Sequence, residues 1–393
     1  MFKKTLAAAA VLGAFAGSAF AADVTLYGVI DYGFNYQHVD TDAAGTDASD
    51  SFRMMSGQNS GSRFGLKAQE DLGNGLQVGF VLENGFDADD GSFDGNGDDK
   101  IFGRESQLYL SGAFGTVSFG RVGQMASANG SFGILGGASP FSGGWQDSVG
   151  QKFVFANGFA RFDNTVTYVT PEFAGLKVYA QYSFQNDAGK NADGTAKDPG
   201  TEGKSSVDRY YGIGATYTNN NLYLVGIVDS MNWDSTATGA NLDDQLAVTL
   251  GGAYDFGVAK LYASGQYFDN AKAVGQKRAT ETGSIADGYS FATLEGAEGW
   301  GLNVGVGVPV FGGTAKAQVA YMDAESTRNS DMNVSRWSLA AGYDYNLSKR
   351  TMVYTAAAYT RDDVSEQYQA EIKNKAGSNP STVEVMAGIV HKF

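Results

Sequence analysis

The chain alternates between apolar and polar residues from residue 24 onward. In the stretch 24–35, apolar residues such as Ile30 and Phe34 occupy even positions, whereas the polar residues Asp31 and Asn35 occupy odd positions. Successive side chains of a β-strand point to opposite faces. This stretch is therefore predicted to form a strand with one face against an apolar medium and the other face in water.

The same alternation predicts sixteen strands along the chain. Most have close to the ~9 to 11 residues that a tilted strand needs to cross a bilayer, and bacterial barrels made of one chain have an even number of strands. The predicted strands run near 24–35, 62–69, 76–86, 104–111, 116–121, 161–169, 176–184, 208–217, 221–229, 245–254, 258–268, 299–308, 314–323, 336–345, 351–360 and 383–393.

The connections between these strands are alternately short and long. Short periplasmic turns with long external loops are typical of an up-and-down outer-membrane barrel, whereas a soluble sandwich has no reason to place its long loops at one end. The short connections are 70–75, 112–115, 170–175, 218–220, 255–257, 311–313 and 346–350; the long ones include 36–61, 87–103, 185–207 and 269–298, which are rich in Asp, Gly, Ser, Asn and Thr.

The surrounding solvent decides between an open sheet and a closed one. In hydrocarbon every backbone N–H and C=O needs a partner within the protein, so an open sheet edge is excluded. The sequence therefore predicts an all-β fold, a transmembrane antiparallel β-barrel of 16 strands. Because a barrel of that size has a bore wider than its own side chains fill, we expect a water-filled channel.

The first residues differ from all that follow. Lys3 and Lys4 precede the apolar run 6–20, and small residues at Ala19 and Ala21 fit a cleavage site. Residues 1–21 are predicted to be a secretory signal peptide and residues 22–393 the barrel domain. Removal of the leader takes away two lysines and moves the formal charge from −15 to −17.

Composition narrows the possible functions. The chain has 54 glycines, 21 tyrosines and 25 phenylalanines but only 5 prolines, which suits long strands joined by turns. It has no cysteine, and no apolar run of 18 residues follows the leader, which excludes a helical membrane bundle. His38 and His391 are its only histidines, and no nucleophile elbow, metal triad or phosphate-binding loop is present. We therefore do not expect an enzyme.

Several stretches resemble the general porins of Gram-negative bacteria, in particular the trimeric type of Burkholderia-like and Neisseria-like organisms. The resemblance covers the whole chain after the leader, and the order and spacing of the stretches carry it. They are 63–67, 70–76, 110–117 followed by Gly120 and Arg121, 161–164, 168–175 and the C-terminal Phe393.

The resemblance implies a homotrimer of barrels, each with its third external loop folded inward to narrow the channel. In this chain that loop is 122–160, which is unusually apolar for an external loop. The porin constriction motif Pro-Glu-Phe-Gly-Gly has a partial counterpart here that lacks the acid, so the acidic pore residue is not carried over. The inward-loop candidates are Pro140, Phe141, Gly143, Gly144 and Asp147.

Five basic residues are candidates for the pore constriction. Arg63, Lys67 and Arg161 have inward parity in their strands. Strict alternation would turn Arg104 and Arg121 outward, but both lie at the loop ends of their strands, where a β-bulge can reset the parity. In the related porins the arginines that match Arg63, Arg104 and Arg161 line the constriction. The alternative is that the arginines only pair with loop carboxylates and hold the loop down.

Acidic residues gather in the external loops. Asp94, Asn96 and Asp98 resemble the start of a calcium loop, although the glutamate that such a loop needs downstream is missing. They are candidates for binding structural Ca²⁺ or Mg²⁺, and such an ion could also bridge to lipopolysaccharide phosphates. The alternative is a solvated acidic surface. No other cofactor is implied.

The leading hypothesis is a general diffusion porin of the outer membrane, a multi-pass protein through which small hydrophilic solutes and ions pass down their gradients. Arginines at the narrowest point favour a mild preference for anions. The expected partners are two further copies of the chain, outer-membrane lipid and lipopolysaccharide, and no nucleic acid. The alternatives are a substrate-selective channel, with Tyr27, Tyr109 and Tyr179 as lumen aromatics, and a structural or adhesive surface barrel.

Overall fold

A computed structural model describes residues 24–93, 100–141, 150–156, 160–189, 195–234, 242–275, 289–372 and 377–393. These residues form a structure that is almost entirely antiparallel β-sheet. The predicted leader, residues 1–21, lies outside the described residues. Within the described ranges no helix is both long and apolar enough to cross a membrane.

The first half of the chain contributes nine strands. They are β1 (Thr25–Asp40), β2 (Ser49–Ser56), β3 (Arg63–Gly73), β4 (Leu76–Gly85), β5 (Glu105–Gly112), β6 (Gly115–Gly123), β7 (Arg161–Val169), β8 (Leu176–Ser183) and β9 (Arg209–Asn219). Two short 3₁₀ turns, Gly136–Ala138 and Gln151–Phe153, lie between β6 and β7.

The second half contributes ten strands and one short helix. The strands are β10 (Leu222–Asn232), β11 (Gln245–Asp255), β12 (Lys260–Ala271), β13 (Ala273–Val274), β14 (Tyr289–Ser290), β15 (Ala297–Val310), β16 (Gly313–Ser326), β17 (Asn333–Asn346), β18 (Thr351–Val364) and β19 (Ser381–Lys392). Helix α1 (Glu366–Ile372) lies between β18 and β19.

The sheet closes on itself. Each strand of the 17-stranded sheet pairs antiparallel with its neighbour in sequence, and β19 pairs with β1 in a register that sets Tyr32 opposite Ile389. Strands β2 and β3 both pair with the same edge of β1. Strand β3 pairs with its first residues, 25–29, and β2 pairs with residues 32–39. Together they form one crossing, so seventeen strands make sixteen crossings. The predicted 16-stranded barrel is confirmed.

One predicted boundary was wrong. The stretch 36–61 was expected to be a long loop, but β1 continues to Asp40 and β2 fills Ser49–Ser56. The reason is that the alternation continues through this polar stretch: Phe52 and Met54 lie outward, and the Phe52 ring stacks on Phe34 of β1 at 5.6 Å between ring centres. The first hairpin therefore extends past the other strands.

Turns and loops are segregated by end, as the sequence predicts. The turn between β3 and β4 is tight, and its residues Gly73, Asn74 and Gly75 all have positive φ. The long connections lie at the opposite end. Numbered in chain order, the third, sixth and eighth of them are L3 (residues 124–160), L6 (residues 272–296) and L8 (residues 365–380).

The two faces of the barrel have opposite chemistry. Leu26, Ile30 and Phe34 of β1 are exposed on the outside, whereas Asp31 and Asn35 of the same strand are fully buried inside. Other strands repeat the pattern with inward Gln107, Ser118, Thr167, Gln181, Thr249, Gln266, Asn303 and Gln318. The apolar outer band and polar interior are those of a transmembrane barrel with an aqueous bore.

A charge placed on the outer band tests this orientation. Leu250, in the middle of β11, points outward with 64% of its surface exposed, and Val258, in the turn that follows, is 77% exposed. We expect Leu250→Arg to lower the free energy of unfolding in lipid vesicles by about 2 to 4 kcal/mol and Val258→Arg by about 0 to 1 kcal/mol. Denaturant titration measures both, and equal costs at the two positions would contradict the membrane placement.

Candidate functional site

The described part of L3 contacts the inward face of one side of the barrel wall. The first limb of L3, residues 124–141, lies over inward glycines, where a larger side chain would leave no room for the loop. A Cβ on Gly305 of β15 would lie 2.6 Å from Pro140, and one on Gly342 of β17 would lie 3.1 Å from Phe141. Two similar contacts are Gly214 with Ile134 and Gly251 with Ala138. The wall beneath L3 is therefore thinned along the path of the loop.

The second limb of L3, residues 150–156, is hydrogen-bonded to the same side of the wall. Gln151 donates from Nε2 to Ser264 Oγ at 2.8 Å, and the Ala156 backbone N–H donates to Gln266 Oε1 at 2.7 Å. Ser264 and Gln266 are inward residues of β12. Apolar packing reinforces these bonds, because Phe141, Phe153, Val154 and Phe155 are fully buried. The described part of L3 thus covers the inward face of β9 to β12 and β15 to β17.

The five basic residues that were candidates for the constriction lie across the bore from L3, on β3 to β7 and the loop ends beside these strands. Arg63 and Arg104 share the carboxylate of Glu83 on β4: Arg104 Nε lies 2.8 Å from one oxygen and Arg63 Nε 3.5 Å from the other. Tyr27 also donates to Glu83, at 3.0 Å. Two guanidinium groups thus lie against one carboxylate, and the buried carboxylates of Asp31 and Glu105 lie nearby.

A turn anchored by Asp31 holds Arg63 in place. The buried Asp31 carboxylate accepts backbone N–H bonds from Asn59 and Ser60, both at 2.6 Å, and a hydroxyl bond from Tyr354 at 2.7 Å. Arg63 in turn donates from Nη1 to the Gly61 carbonyl at 2.7 Å. The carboxylate therefore fixes the turn, and the turn fixes the guanidinium group.

Arg121 and Lys100 share a second carboxylate, that of Asp163 on β7. Arg121 Nη1 lies 2.7 Å from one oxygen and Lys100 Nζ 3.0 Å from the other. The β6–β7 register shifts between Gly120 and Val122. A bulge is thus present at the position where parity had to be reset for Arg121 to reach Asp163.

Lys100 and the external Lys197 also lie beside Asp187, at 3.1 and 3.7 Å. With Arg121 and Asp163, they form a second group of basic side chains around wall and loop carboxylates. Both groups therefore place more than one basic side chain against a carboxylate of this part of the wall.

Arg161 and Lys67 occupy different positions. Arg161, at the start of β7, lies beside L3, and its Nη2 is 3.4 Å from Asn129 Oδ1. Lys67 lies further toward the short turns, and its Nζ is 5.1 Å from the centre of the Tyr27 ring. The structure thus brings Arg63, Arg104, Arg121 and Arg161 to one part of the wall and sets Lys67 apart.

The loop candidates are only partly described. Pro140 lies against Gly305, and the Phe141 ring is 5.7 Å from Lys316 Nζ. Gly143, Gly144 and Asp147 lie outside the described residues, as do the weak metal candidates Asp94, Asn96 and Asp98. Among the residues that are described, no group of three potential metal-ligating side chains occurs.

Sequence reasoning missed the wall carboxylate Glu83 and the amine of Lys100. The available signal for Glu83 was its parity, since it alternates with Phe80 and Leu82 on β4 and so points inward. Lys100 gave no such signal, because it lies in a loop outside any alternating strand.

Known proteins are similar to this chain over most of its length. The family described as Gram-negative porin matches residues 7–365. An outer membrane porin protein of Bordetella pertussis is 34% identical, with 92% of this chain and 94% of that protein covered. Outer membrane porin protein 32 of Delftia acidovorans is 31% identical over the full length of both. The solved anion-selective porin from Comamonas acidovorans has a TM-score of 0.64 at 26% identity and covers 95% of this chain and 100% of its own.

The glycine path under L3 gives a direct test of the loop's position. A Cβ on Gly301 of β15 would overlap the Val154 carbonyl oxygen, whereas a Cβ on Gly307, inward on the same strand, would meet its nearest atom at 3.6 Å. We expect Gly301→Ala to displace L3 and change single-channel conductance in a planar bilayer, and Gly307→Ala to leave it unchanged. Equal conductance in the two variants would contradict the contact.

Proposed function

Because this chain belongs to the Gram-negative porin family and is a passive diffusion channel of the outer membrane rather than an enzyme, we propose that Arg63, Arg104, Arg121 and Arg161 form the charged side of its constriction. L3 forms the other side. The channel passes small hydrophilic solutes and ions and prefers anions mildly. The single observation that carries this proposal is that two arginines share one carboxylate across the bore from L3.

The arginines are held in fixed positions but are not fully removed from the bore. The side chains of Arg63 and Arg104 retain 24% and 15% of their exposure. A low-dielectric wall makes the field of a few side chains felt across a narrow opening, and channels select ions by such clusters of charge. The clustering of Arg63, Arg104, Arg121 and Arg161 on one side of the bore therefore favours anions there, although the whole chain is acidic.

The contacts of L3 support its role in setting the width of the channel. Its described part fills the space against β9 to β17, so the remaining opening is bounded by L3 and by the arginine-bearing wall. The alternative that the arginines only hold the loop down receives less support, because Arg63 and Arg104 pair with Glu83 of the wall. The solved anion-selective porin that this chain resembles is also consistent with the proposed charge preference.

A substrate-selective channel would need aromatic side chains in a continuous row along the bore. Tyr27 is bonded to Glu83, Tyr109 donates to Gln69 at 3.3 Å, and Tyr179 packs against the apolar cluster around L3. Each of the three thus has a separate structural role at a separate level, and they favour general diffusion.

Charge variants of the constriction test the anion preference. We expect Arg63→Ala and Arg104→Ala each to lower the anion-to-cation permeability ratio by about twofold and Glu83→Gln to raise it, because selectivity follows the charge at the narrowest point. Reversal potential in a salt gradient measures the ratio. Arg328→Ala, an exposed arginine of the external loops, is the matched control. A cation-selective reversal potential that is unchanged by Arg63→Ala would refute the role of the arginines.

The homotrimer, the leader and the lipid contacts remain parts of the proposal. Residues 1–21 would be removed on export, and the outer band would contact outer-membrane lipid and lipopolysaccharide. The family resemblance of the sequence supports assembly of three copies. Native mass spectrometry of the detergent-solubilised protein is expected to give about three times the mass of one chain after removal of the leader, and a monomer under gentle extraction would contradict the assembly.

A further inference from the structure

One ion pair of the barrel interior lies away from the arginine wall, which is the part of the barrel on β3 to β7 that holds Arg63, Arg104, Arg121 and Arg161. Arg336 of β17 and Asp362 of β18 face each other across the strand pair and form a two-pronged bond, with Nε–Oδ1 at 2.8 Å and Nη2–Oδ2 at 3.0 Å. Both side chains have 0% exposure. A buried ion pair must offset the loss of water by good geometry and further hydrogen bonds. The further bonds here lead to two external loops.

The first of these loops is L3. Arg336 Nη1 donates to the Phe153 carbonyl oxygen at 3.0 Å. Phe153 lies in the second limb of L3 and is fully buried. The guanidinium group therefore joins the wall to the backbone of the loop that narrows the bore.

The second loop is L6. Tyr289 donates its hydroxyl to Asp362 Oδ2, and its ring centre lies 5.5 Å from the guanidinium carbon of Arg336. The pair formed by Arg336 and Asp362 is thus bonded to L3 through the arginine and to L6 through the aspartate.

L3 and L6 are also joined directly through their backbones. Strand β13 pairs with β14 within L6, and Ala156 of L3 forms an antiparallel bridge with Val274 of β13. The Gly275 N–H donates to the Phe155 carbonyl at 3.1 Å. L3 therefore extends the small sheet of L6. Helix α1 of L8 packs on the same assembly, with the Tyr368 ring 5.1 Å from that of Phe291.

We propose that Arg336 and Asp362, with Tyr289, form a clamp that positions L3 by binding it together with L6 to the wall. These are positioning residues: their charges are buried, and they act on permeating ions only through L3. This inference rests on the proposed role of L3 in narrowing the channel. With the clamp broken, L3 has fewer fixed contacts and moves in and out of the open part of the bore.

Current recordings of clamp variants test the proposal. We expect Asp362→Asn and Tyr289→Phe to increase open-channel current noise at least twofold and to produce additional conductance levels, because L3 then samples more than one position. Anion-to-cation permeability in the main open level should stay near the starting value, since the arginine wall is untouched. Asp50→Asn, which breaks the exposed contact between His38 and Asp50 in the first hairpin, is the matched control and should leave the noise unchanged.

A disulfide distinguishes loop position from general destabilisation. The chain has no cysteine, so Ala156→Cys with Val274→Cys places a single possible disulfide at the bridge between L3 and L6. Directly paired strand residues have the spacing that a disulfide requires. In the Asp362→Asn background, we expect oxidation to return the noise to the starting level and reduction to raise it again.

The outcomes separate the clamp from the proposed constriction. The proposed clamp would be overturned if open-channel current noise stayed at the starting level in both Asp362→Asn and Tyr289→Phe. It would also be overturned if the oxidised disulfide did not lower the noise of Asp362→Asn. If Asp362→Asn fails to fold, Tyr289→Phe decides, because it removes one hydroxyl and keeps the ring. Unchanged selectivity in Arg63→Ala would overturn the arginine constriction and leave the clamp standing.

Discussion

The structure depends on one constraint, which is that a backbone in hydrocarbon must satisfy all its hydrogen bonds within the protein. The pairing of β19 with β1 meets it by closing the sheet into a barrel. Closure also assigns the two parities of every strand, since one must face lipid and the other must face the bore. The burial of Asp31 and Asn35 beside the exposed Ile30 and Phe34 follows from closure.

Closure creates a second problem, because sixteen crossings enclose more space than inward side chains fill. External loops occupy part of this space. L3 fits only where the wall is thin, and the inward glycines at Gly214, Gly251, Gly305 and Gly342 provide that room. The loop therefore divides the wall into a covered part, β9 to β17, and a part that remains available to ions. We propose that the chemistry of the second part sets the ion preference of the channel.

Local pattern explains what could and could not be predicted from sequence. Alternation and loop lengths predicted the barrel, its strand number and the inward parity of Arg63, because these depend on neighbouring residues. Where a structural irregularity intervenes, as at Arg121, parity alone pointed the wrong way and only the bulge corrected it. Pairings such as Glu83 with two arginines, or Arg336 with the Phe153 carbonyl, join residues far apart in sequence and depend on the path of L3 inside the closed barrel.

Contacts between a guanidinium group and a carboxylate occur at two places in the barrel, and the burial of the side chains distinguishes their roles. Arg336 and Asp362 pair one to one with no exposed side-chain surface, so they do not contact permeating ions, and we propose that they act through the loops that they bind. Arg63 and Arg104 lie on either side of one carboxylate and keep part of their side chains exposed, so they are placed to act on ions directly under the proposed function. An arginine on the inner wall of a porin is therefore expected to act on ions directly only where its side chain stays partly exposed. By that criterion Arg63 and Arg104 qualify and Arg336 does not.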